Sequence, residues 1–273
     1  MGGRASRPPI LPSMTLPEAL LVLIAGVWAG AINTLVGSGS LVTFPVLLAV
    51  GFPPLTANVS NNLGVVPGSV SGAYGYRREL RGQRRRLLRY APASAIGGVA
   101  GAVLLLALPA SAFDAVVPAF VALGVVLVIA QPRLNRRLAQ RRRAAAADRG
   151  TAADDGSPLA LPATLATGVY GGYFGAAQGV LLLAILGLAI DDDLQRVNAL
   201  KVVLAGLVNF VAAIVFVIAA QDHLAWGAVA LIAIGSAIGG QLGARIGRRL
   251  PAPALRAVIV VVGLAAIAKL LLD

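Results

Sequence analysis

The sequence contains no cysteine and only one histidine, His223, among its 273 residues. The absence of cysteine excludes disulfides, thiolate metal sites and cysteine nucleophiles, and a lone histidine excludes a multi-histidine metal centre. Charge is also scarce: 12% of the residues are charged, whereas a soluble domain has about 25%. Because 58% are hydrophobic, polar side chains cannot cover a water-facing surface. The composition predicts a membrane protein, and we expect no metal and no other cofactor.

The positive charge is concentrated in two stretches. The chain has 23 Lys and Arg against 11 Asp and Glu, a formal net charge of +12, which on a soluble surface would indicate nucleic acid binding. Instead, seven arginines lie within 77–89 and seven within 133–149, beside long apolar runs. Basic loops in this position are typical of the cytoplasmic side of a membrane protein. We expect a bacterial cell (inner) membrane protein with cytoplasmic basic loops, embedded in the lipid bilayer and binding no nucleic acid.

Long apolar runs indicate several membrane-spanning helices. Residues 19–76 carry no charged side chain, although one helical span needs only about 20 residues. Clusters of helix-breaking residues at 37–40 and 51–54 divide this run, and they leave a middle piece, 41–50, that is too short to cross. The predicted segments are 17–36, 41–50, 57–76, 90–108, 115–131, an uncharged run over 157–190, 197–220, 224–244 and 255–272. The pattern predicts an all-α, polytopic integral membrane protein.

The second part of the chain repeats the first. At an offset of 142 residues, Gly37 aligns with Gly179, and the string LPA at 108–110 aligns with LPA at 250–252. An ordered series of matches on one diagonal indicates two homologous halves. The predicted organisation is an N-terminal tail (1–16), a first membrane repeat (17–131), a cytoplasmic linker (132–156) and a second membrane repeat (157–273).

The basic loops change places between the two halves. Arginines follow the span 57–76, whereas the matching turn of the second half, 221–223, has none. The second half instead has arginines in 245–256, whose counterpart near 109–114 has none. If basic loops stay cytoplasmic, the halves are inverted repeats with broken or re-entrant first helices. Inverted repeats are typical of secondary transporters, in which the substrate binds where the repeats meet.

Two polar motifs occupy matched positions near the starts of predicted spans. With a slip of two residues, Asn58 and Asn61 align with Asn198 and Lys201. Helix N-termini attract anions, and amide and amino groups add donors. Polar residues also stand beside the glycine breaks, where they could line a pathway. The predicted substrate-binding residues are Asn58, Asn61, Asn198, Lys201, Ser38 and Gln178. The alternative is that Asn58 and Asn198 cap helices and join neighbouring helices, and that Lys201 extends to the membrane interface.

Other motifs favour structural roles. The acidic triplet 191–193 precedes a predicted helix, where carboxylates act as caps. Small residues recur every four positions and predict close helix packing. They are Gly235, Gly239, Gly243 and Gly247 in the second half, and Ala93, Gly97 and Gly101 at the paired position of the first.

Several strings also resemble a known family. They are AGAINT at 29–34, GSGSLVTFP at 37–45, PP at 53–54, Asn58, Asn61, PGS at 67–69 and GYRR at 75–78, with GGYFG at 171–175 and NALK at 198–201 in the second half. Together they resemble the TauE/SafE sulfite exporter family. The resemblance implies a bacterial inner-membrane permease for sulfur-containing anions such as sulfite or organosulfonates, usually moved outward.

We therefore expect a membrane transporter that exports small sulfur-containing anions by alternating access between two repeats. Its expected partner is a small inorganic or organic anion, and a homo-oligomer is left open. The alternative functions are an anion channel and a non-transporting membrane subunit of a larger complex. An enzyme is disfavoured because the predicted spans contain no Asp, Glu or His well inside them, so no catalytic residue is predicted.

Overall fold

The computed structural model describes residues 14–147, 159–246 and 252–272. The described residues form helices and connecting turns, with no β-strand among them. The helices are α1 (Leu16–Leu35), α2 (Ser40–Ala49), α3 (Pro54–Gly64), α4 (Val66–Gly75), α5 (Arg84–Ala107), α6 (Ala110–Ala147), α7 (Ala160–Tyr173), α8 (Gln178–Ala189), α9 (Leu194–Ala219), α10 (Trp226–Ile246) and α11 (Ala252–Leu272), with a 3₁₀ turn at Gln221–His223.

Five helices in the described parts of the chain are long and apolar enough to cross a membrane. They are α1, α5, the segment Ala110–Leu134 of α6, α9 and α10. Helices α2 and α8 have 10 and 12 residues, fewer than the roughly 20 that a span needs. The prediction of an all-α, polytopic membrane protein is confirmed.

The predicted span 57–76 is two helices. Helix α3 ends at Gly64 and α4 begins at Val66. Pro67 has no N–H to donate to the preceding turn, which weakens a helix at that point. The Oγ of Ser236, on α10, accepts a hydrogen bond from Gly68 N at 3.2 Å and donates to Gly64 O at 2.9 Å. The expectation of one uninterrupted helix was wrong because a hydroxyl group from α10 inserts at this turn.

Helix α6 continues into the stretch 132–156 that was predicted as a linker. It runs to Ala147, and the Ala and Arg residues that fill this stretch are strong helix formers. The remainder of the predicted linker, 148–156, lies outside the described residues, as do most of the N-terminal tail and Gly247.

Glycines allow two pairs of helices to pack closely. A Cβ added to Gly235 would lie 2.5 Å from the carbonyl oxygen of Leu23, and one added to Gly239 would overlap that of Val27. At the paired position of the first half, a Cβ on Gly101, in α5, would overlap the carbonyl oxygen of Val169, in α7. Helix α1 therefore packs against α10, and α7 against α5. The packing interpretation of these small residues is confirmed.

The helices run in two opposite directions. Helix α1 is parallel to α10, since Gly26 lies beside Ile232 and Gly30 lies beside Gly240. Helix α4 is likewise parallel to α10, because the numbers of the contacting residues increase together along both helices. The same holds for α7 and α9 against α5. Helices α4 and α9 are antiparallel, because Ser69 lies beside Gly206 while the later part of α4 packs near the start of α9. The set α1, α4 and α10 therefore opposes the set α5, α7 and α9.

Candidate functional site

Two helix breaks meet inside the molecule. Helix α1 is separated from α2 by residues 36–39, and α7 from α8 by residues 174–177. The N–H of Gly179 donates to the carbonyl oxygen of Gly37 at 3.0 Å. Gly37 has φ +90°, and a Cβ there would lie 2.6 Å from the Cα of Gly179. Only glycine permits both that conformation and that approach. The runs 17–50 and 157–190 are therefore each divided into two helices in the structure.

A small polar cavity lies beside this contact. Its volume is about 20 Å³, enough for about one water molecule. Its polar lining residues are Asn33, Thr34, Ser40, Ser69, Gln178 and Asn209. Among the described residues, no Asp, Glu, Lys or Arg lines it. Ser40 and Gln178 are the first residues of α2 and α8, so the positive ends of both helix dipoles lie at the cavity.

Two of the six predicted binding residues lie at the breaks. Gln178 lines the cavity and is buried. Ser38 is buried in the turn between α1 and α2. Neither Gln178 Nε2 nor Ser38 Oγ has a hydrogen-bond partner in the described parts of the chain. Buried polar atoms are normally satisfied, so these two atoms are available to a ligand or a water molecule.

The matched asparagines hold the ends of broken helices. Asn58 Nδ2, on α3, donates to the carbonyl oxygen of Tyr173 at 2.9 Å. Asn198 Nδ2, on α9, donates to that of Thr34 at 3.2 Å. The last carbonyl groups of a helix receive no hydrogen bond from within the helix. Here each asparagine donates a hydrogen bond to one such carbonyl group of the opposite half. Neither residue is among those that line the cavity.

Lys201 and Asn61 also bind protein groups. Lys201 is fully buried, and its Nζ donates to Asn33 O at 3.0 Å and to Thr34 O at 3.5 Å. The alternative that Lys201 extends to the membrane interface was therefore wrong. Asn61 Oδ1 accepts a hydrogen bond from Thr43 Oγ1, on α2. The structure places these two residues behind the helix ends instead of at the cavity surface.

The acidic triplet supplies the cap of α9. Asp193 is the N-cap residue, and its Oδ2 accepts from Gln195 N at 2.9 Å. The capping prediction is confirmed for Asp193. Asn58 and Asn198 lie inside α3 and α9, so they do not cap these helices. Their hydrogen bonds to α7 and α1 agree with the other part of that alternative, in which they join neighbouring helices.

Asp192, in the loop before α9, joins the first turns of α5 and α9. Its Oδ2 accepts hydrogen bonds from Arg86 and from Arg196 Nε, the latter at 2.9 Å. Burial raises the pKa of Asp192, but the hydrogen bonds from the two arginines outweigh burial and hold its pKa below the usual value.

Sequence reasoning missed several cavity residues, of which Asn209 and Ser69 carried a usable signal. Asn209 aligns with Ser69 at an offset of 140 residues, the same offset that relates Asn58 to Asn198. Asn209 also follows Lys201 by eight residues, close to two helical turns, and therefore lies on the same face of α9. The repeat alignment extended along α9 would have identified this pair.

A helical membrane protein with two broken hairpins meeting at a buried polar cavity has the architecture of a membrane transporter. The family model described as "Sulfite exporter TauE/SafE" matches residues 22–270. The chain therefore belongs to the TauE/SafE sulfite exporter family, and the resemblance noted in its sequence is confirmed.

Relatives carry transporter names. The chain is 28% identical over 262 residues to the "Probable membrane transporter protein YfcA" of Escherichia coli K12, covering 95% of this chain and 92% of that protein. It is 27% identical over 255 residues to the "Probable membrane transporter protein ORF9" of Sinorhizobium sp, covering 92% of each. A "Probable membrane transporter protein" of Haemophilus influenzae is 22% identical over 254 residues, 93% of this chain and 94% of that protein. No solved structure matches the chain.

Proposed function

We propose that the protein transports a small sulfur-containing anion, such as sulfite or an organosulfonate, through the cavity beside Gly37 and Gly179. The observation that carries this proposal is the meeting of two broken hairpins at a buried cavity lined by neutral polar groups. A cavity without a carboxylate among its described lining residues suits an anion, because no fixed negative charge repels it. The description of the family names sulfite.

The donors around the cavity fit the oxygen atoms of such an anion. Gln178 Nε2 and Ser38 Oγ are buried with no hydrogen-bond partner among the residues that the structure describes. Gln178 begins α8, and Ser38 lies in the break between α1 and α2. Helices α2 and α8 direct their positive dipole ends at the same space, as in other anion sites at helix N-termini. We propose that Gln178, Ser38, Ser69 and Asn209 contact the anion.

The other predicted binding residues act indirectly in this proposal. The donors of Asn58, Asn198 and Lys201 are engaged by main-chain carbonyl groups, and Asn61 is engaged by Thr43. These four residues shape the site by holding the ends and starts of the broken helices.

The size and position of the cavity support transport by alternating access. Space for about one water molecule is too small for a sulfur oxyanion, so the two hairpins must separate for the substrate to enter. The opposed helix sets support inverted repeats, which expose a central site to one side of the membrane at a time. The basic loop 77–83 and Arg245 lie at the same end of the helices, since Gly75 lies beside Ala244. We place that end on the cytoplasmic side of a bacterial inner membrane.

Uptake into proteoliposomes tests this function. The purified protein is reconstituted, and uptake of labelled sulfite, sulfate, thiosulfate and sulfonates is measured with and without an imposed proton gradient. Saturable uptake of at least one sulfur anion is expected. The Phe210→Ala variant, altered on an exposed side chain that does not line the cavity, should behave as wild type. Unsaturable flux with single-channel currents would support the channel. No flux together with a co-purifying membrane protein would support the subunit.

A further inference from the structure

Lys201 connects the two halves of the protein. It lies on α9, in the second half, and donates to two carbonyl groups, of Asn33 and Thr34, in the last turn of α1. These carbonyl groups have no partner within their own helix, and a lysine at a helix C-terminus can supply the missing hydrogen bonds. Because Lys201 is fully buried, losing it would leave these groups unsatisfied in the interior.

A chain of contacts leads from Lys201 to the meeting point of the two breaks. Asn33, whose carbonyl oxygen binds Lys201, accepts a hydrogen bond through its Oδ1 from Gly39 N at 2.7 Å. Gly39 immediately precedes α2, and the same turn contains Gly37, which binds Gly179 N. The position of the end of α1 therefore fixes the turn 36–39 and, through Gly37, the start of α8.

The corresponding contacts of the other half are weaker. At the end of α7, the Tyr173 carbonyl accepts one hydrogen bond, from Asn58 on α3. Asn61, which aligns with Lys201, bonds to Thr43 within its own half. The last turn of α1, in contrast, receives hydrogen bonds from both Lys201 and Asn198 on α9. The two hairpins are therefore held unequally.

We infer that Lys201 is a positioning residue, which fixes the α1–α2 turn against α8 through Asn33, and that it is not a ligand of the transported anion. The inference deepens the proposed function and depends on it for the meaning of the transport data. It also makes a claim about the position of the turn that can be measured without transport.

The absence of native cysteine makes the turn directly measurable. Ser40→Cys places one thiol at the start of α2, on the cavity wall, and Ser69→Cys places one on α4, on the same cavity but not held by Lys201. The rate of modification by N-ethylmaleimide is measured in purified protein for each cysteine, with Lys201 present and with Lys201→Met. We expect the modification rate of Ser40→Cys to rise about tenfold when Lys201 is replaced, because the free-energy cost of leaving buried carbonyl groups unsatisfied corresponds to a change of this size. The modification rate of Ser69→Cys should change less than twofold.

Two further variants separate positioning from loss of folding. Lys201→Gln supplies an amide donor in place of the amine, so the Ser40→Cys modification rate in this variant should lie between those measured with Lys201 and with Lys201→Met. Asn33→Ala removes the link to Gly39 and should reproduce the faster modification, with no further increase when it is combined with Lys201→Met. If Lys201→Met gives no monodisperse protein, these two variants decide the question. Unchanged Ser40→Cys modification in the variants that fold would overturn the inference.

Transport kinetics give the second readout. A positioning role predicts that Lys201→Gln lowers the maximal rate of sulfite uptake about tenfold while its KM changes less than threefold. A KM raised about tenfold, with the maximal rate and the Ser40→Cys modification unchanged, would make Lys201 an anion ligand and contradict the inference. If wild-type protein transports no sulfur anion, the proposed function fails, and the modification rates alone decide the role of Lys201.

Discussion

Gly179 donates its backbone N–H to the carbonyl oxygen of Gly37 at 3.0 Å, so the helix breaks of the two halves are in direct contact. Neither position can carry a side chain, since a Cβ on one would lie 2.5 to 2.6 Å from the Cα of the other. The contact places the N-termini of α2 and α8 at one cavity. Any motion that opens the cavity must therefore change this pair.

Gly37→Ala is expected to destabilise the protein more than Gly51→Ala. Both glycines have positive φ, +90° and +96°, so both alanines bear a backbone strain of about 1–2 kcal/mol. Only Gly37 is also crowded, because a Cβ at Gly51 would meet nothing within 4 Å. Thermal unfolding in detergent should show the larger decrease in Tm for Gly37→Ala. Equal decreases would show that the contact with Gly179 adds no constraint.

Ser236→Ala is expected to lower the free energy of unfolding by about 1–3 kcal/mol. The substitution leaves Gly68 N and Gly64 O without the hydroxyl that bonds to both, and an unsatisfied buried polar group has a cost of this size. Ser94 is the matched control, because it aligns with Ser236 at the offset of 142, yet its buried Oγ has no partner in the described residues. Ser94→Ala should be nearly neutral in the same denaturant titration, and a comparable loss in both variants would refute the bridging role.

Acid should weaken the link that Asp192 makes between the first turns of α5 and α9. The pKa of Asp192 is lower in the folded protein than its ordinary value, so its ion pairs stabilise the folded state above that ordinary value, about 3.9. This stability is lost as the pH falls through the folded pKa. Between pH 5 and about pH 3, the Tm of Asp192→Asn should therefore decrease less than the Tm of wild type. The control is Asp191→Asn, for which the structure shows no ion pair among the described residues. Identical pH dependence in wild type and Asp192→Asn would contradict the assignment.

The inverted arrangement that we propose predicts which loops share a side of the membrane. Single cysteines at the exposed positions Arg81 and Arg245 should react with an impermeant thiol reagent from the same side, the cytoplasm. A cysteine at Asp222, between α9 and α10, should react only from the other side. Labelling of Arg81→Cys and Arg245→Cys from opposite sides would rule out inverted repeats.

The sequence was sufficient for features that depend on local composition. Apolar length and breaker clusters identified the short piece near α2 and the break at Gly37, and the repeat alignment matched Asn58 with Asn198. The division between α3 and α4 was missed because a proline does not by itself end a membrane span. The hydroxyl group that bonds to the backbone at this turn belongs to Ser236, which lies 169 residues from Pro67 in sequence. The partners of Lys201 were missed for a related reason. They are main-chain carbonyl groups, which every residue type possesses and which leave no pattern in a sequence.

Binding of ³⁵S-sulfite to purified protein tests most directly the claim that the anion occupies the cavity between the two breaks. The measurement compares wild type with Gln178→Ala and Asn209→Ala, which each remove an amide from the cavity wall. The control is Phe210→Ala, on an exposed face of α9. Loss of one hydrogen bond of about 0.5–1.5 kcal/mol should raise the Kd about two- to tenfold in each cavity variant. Phe210→Ala should leave it unchanged. Saturable binding with the same Kd in all four proteins would contradict the claim.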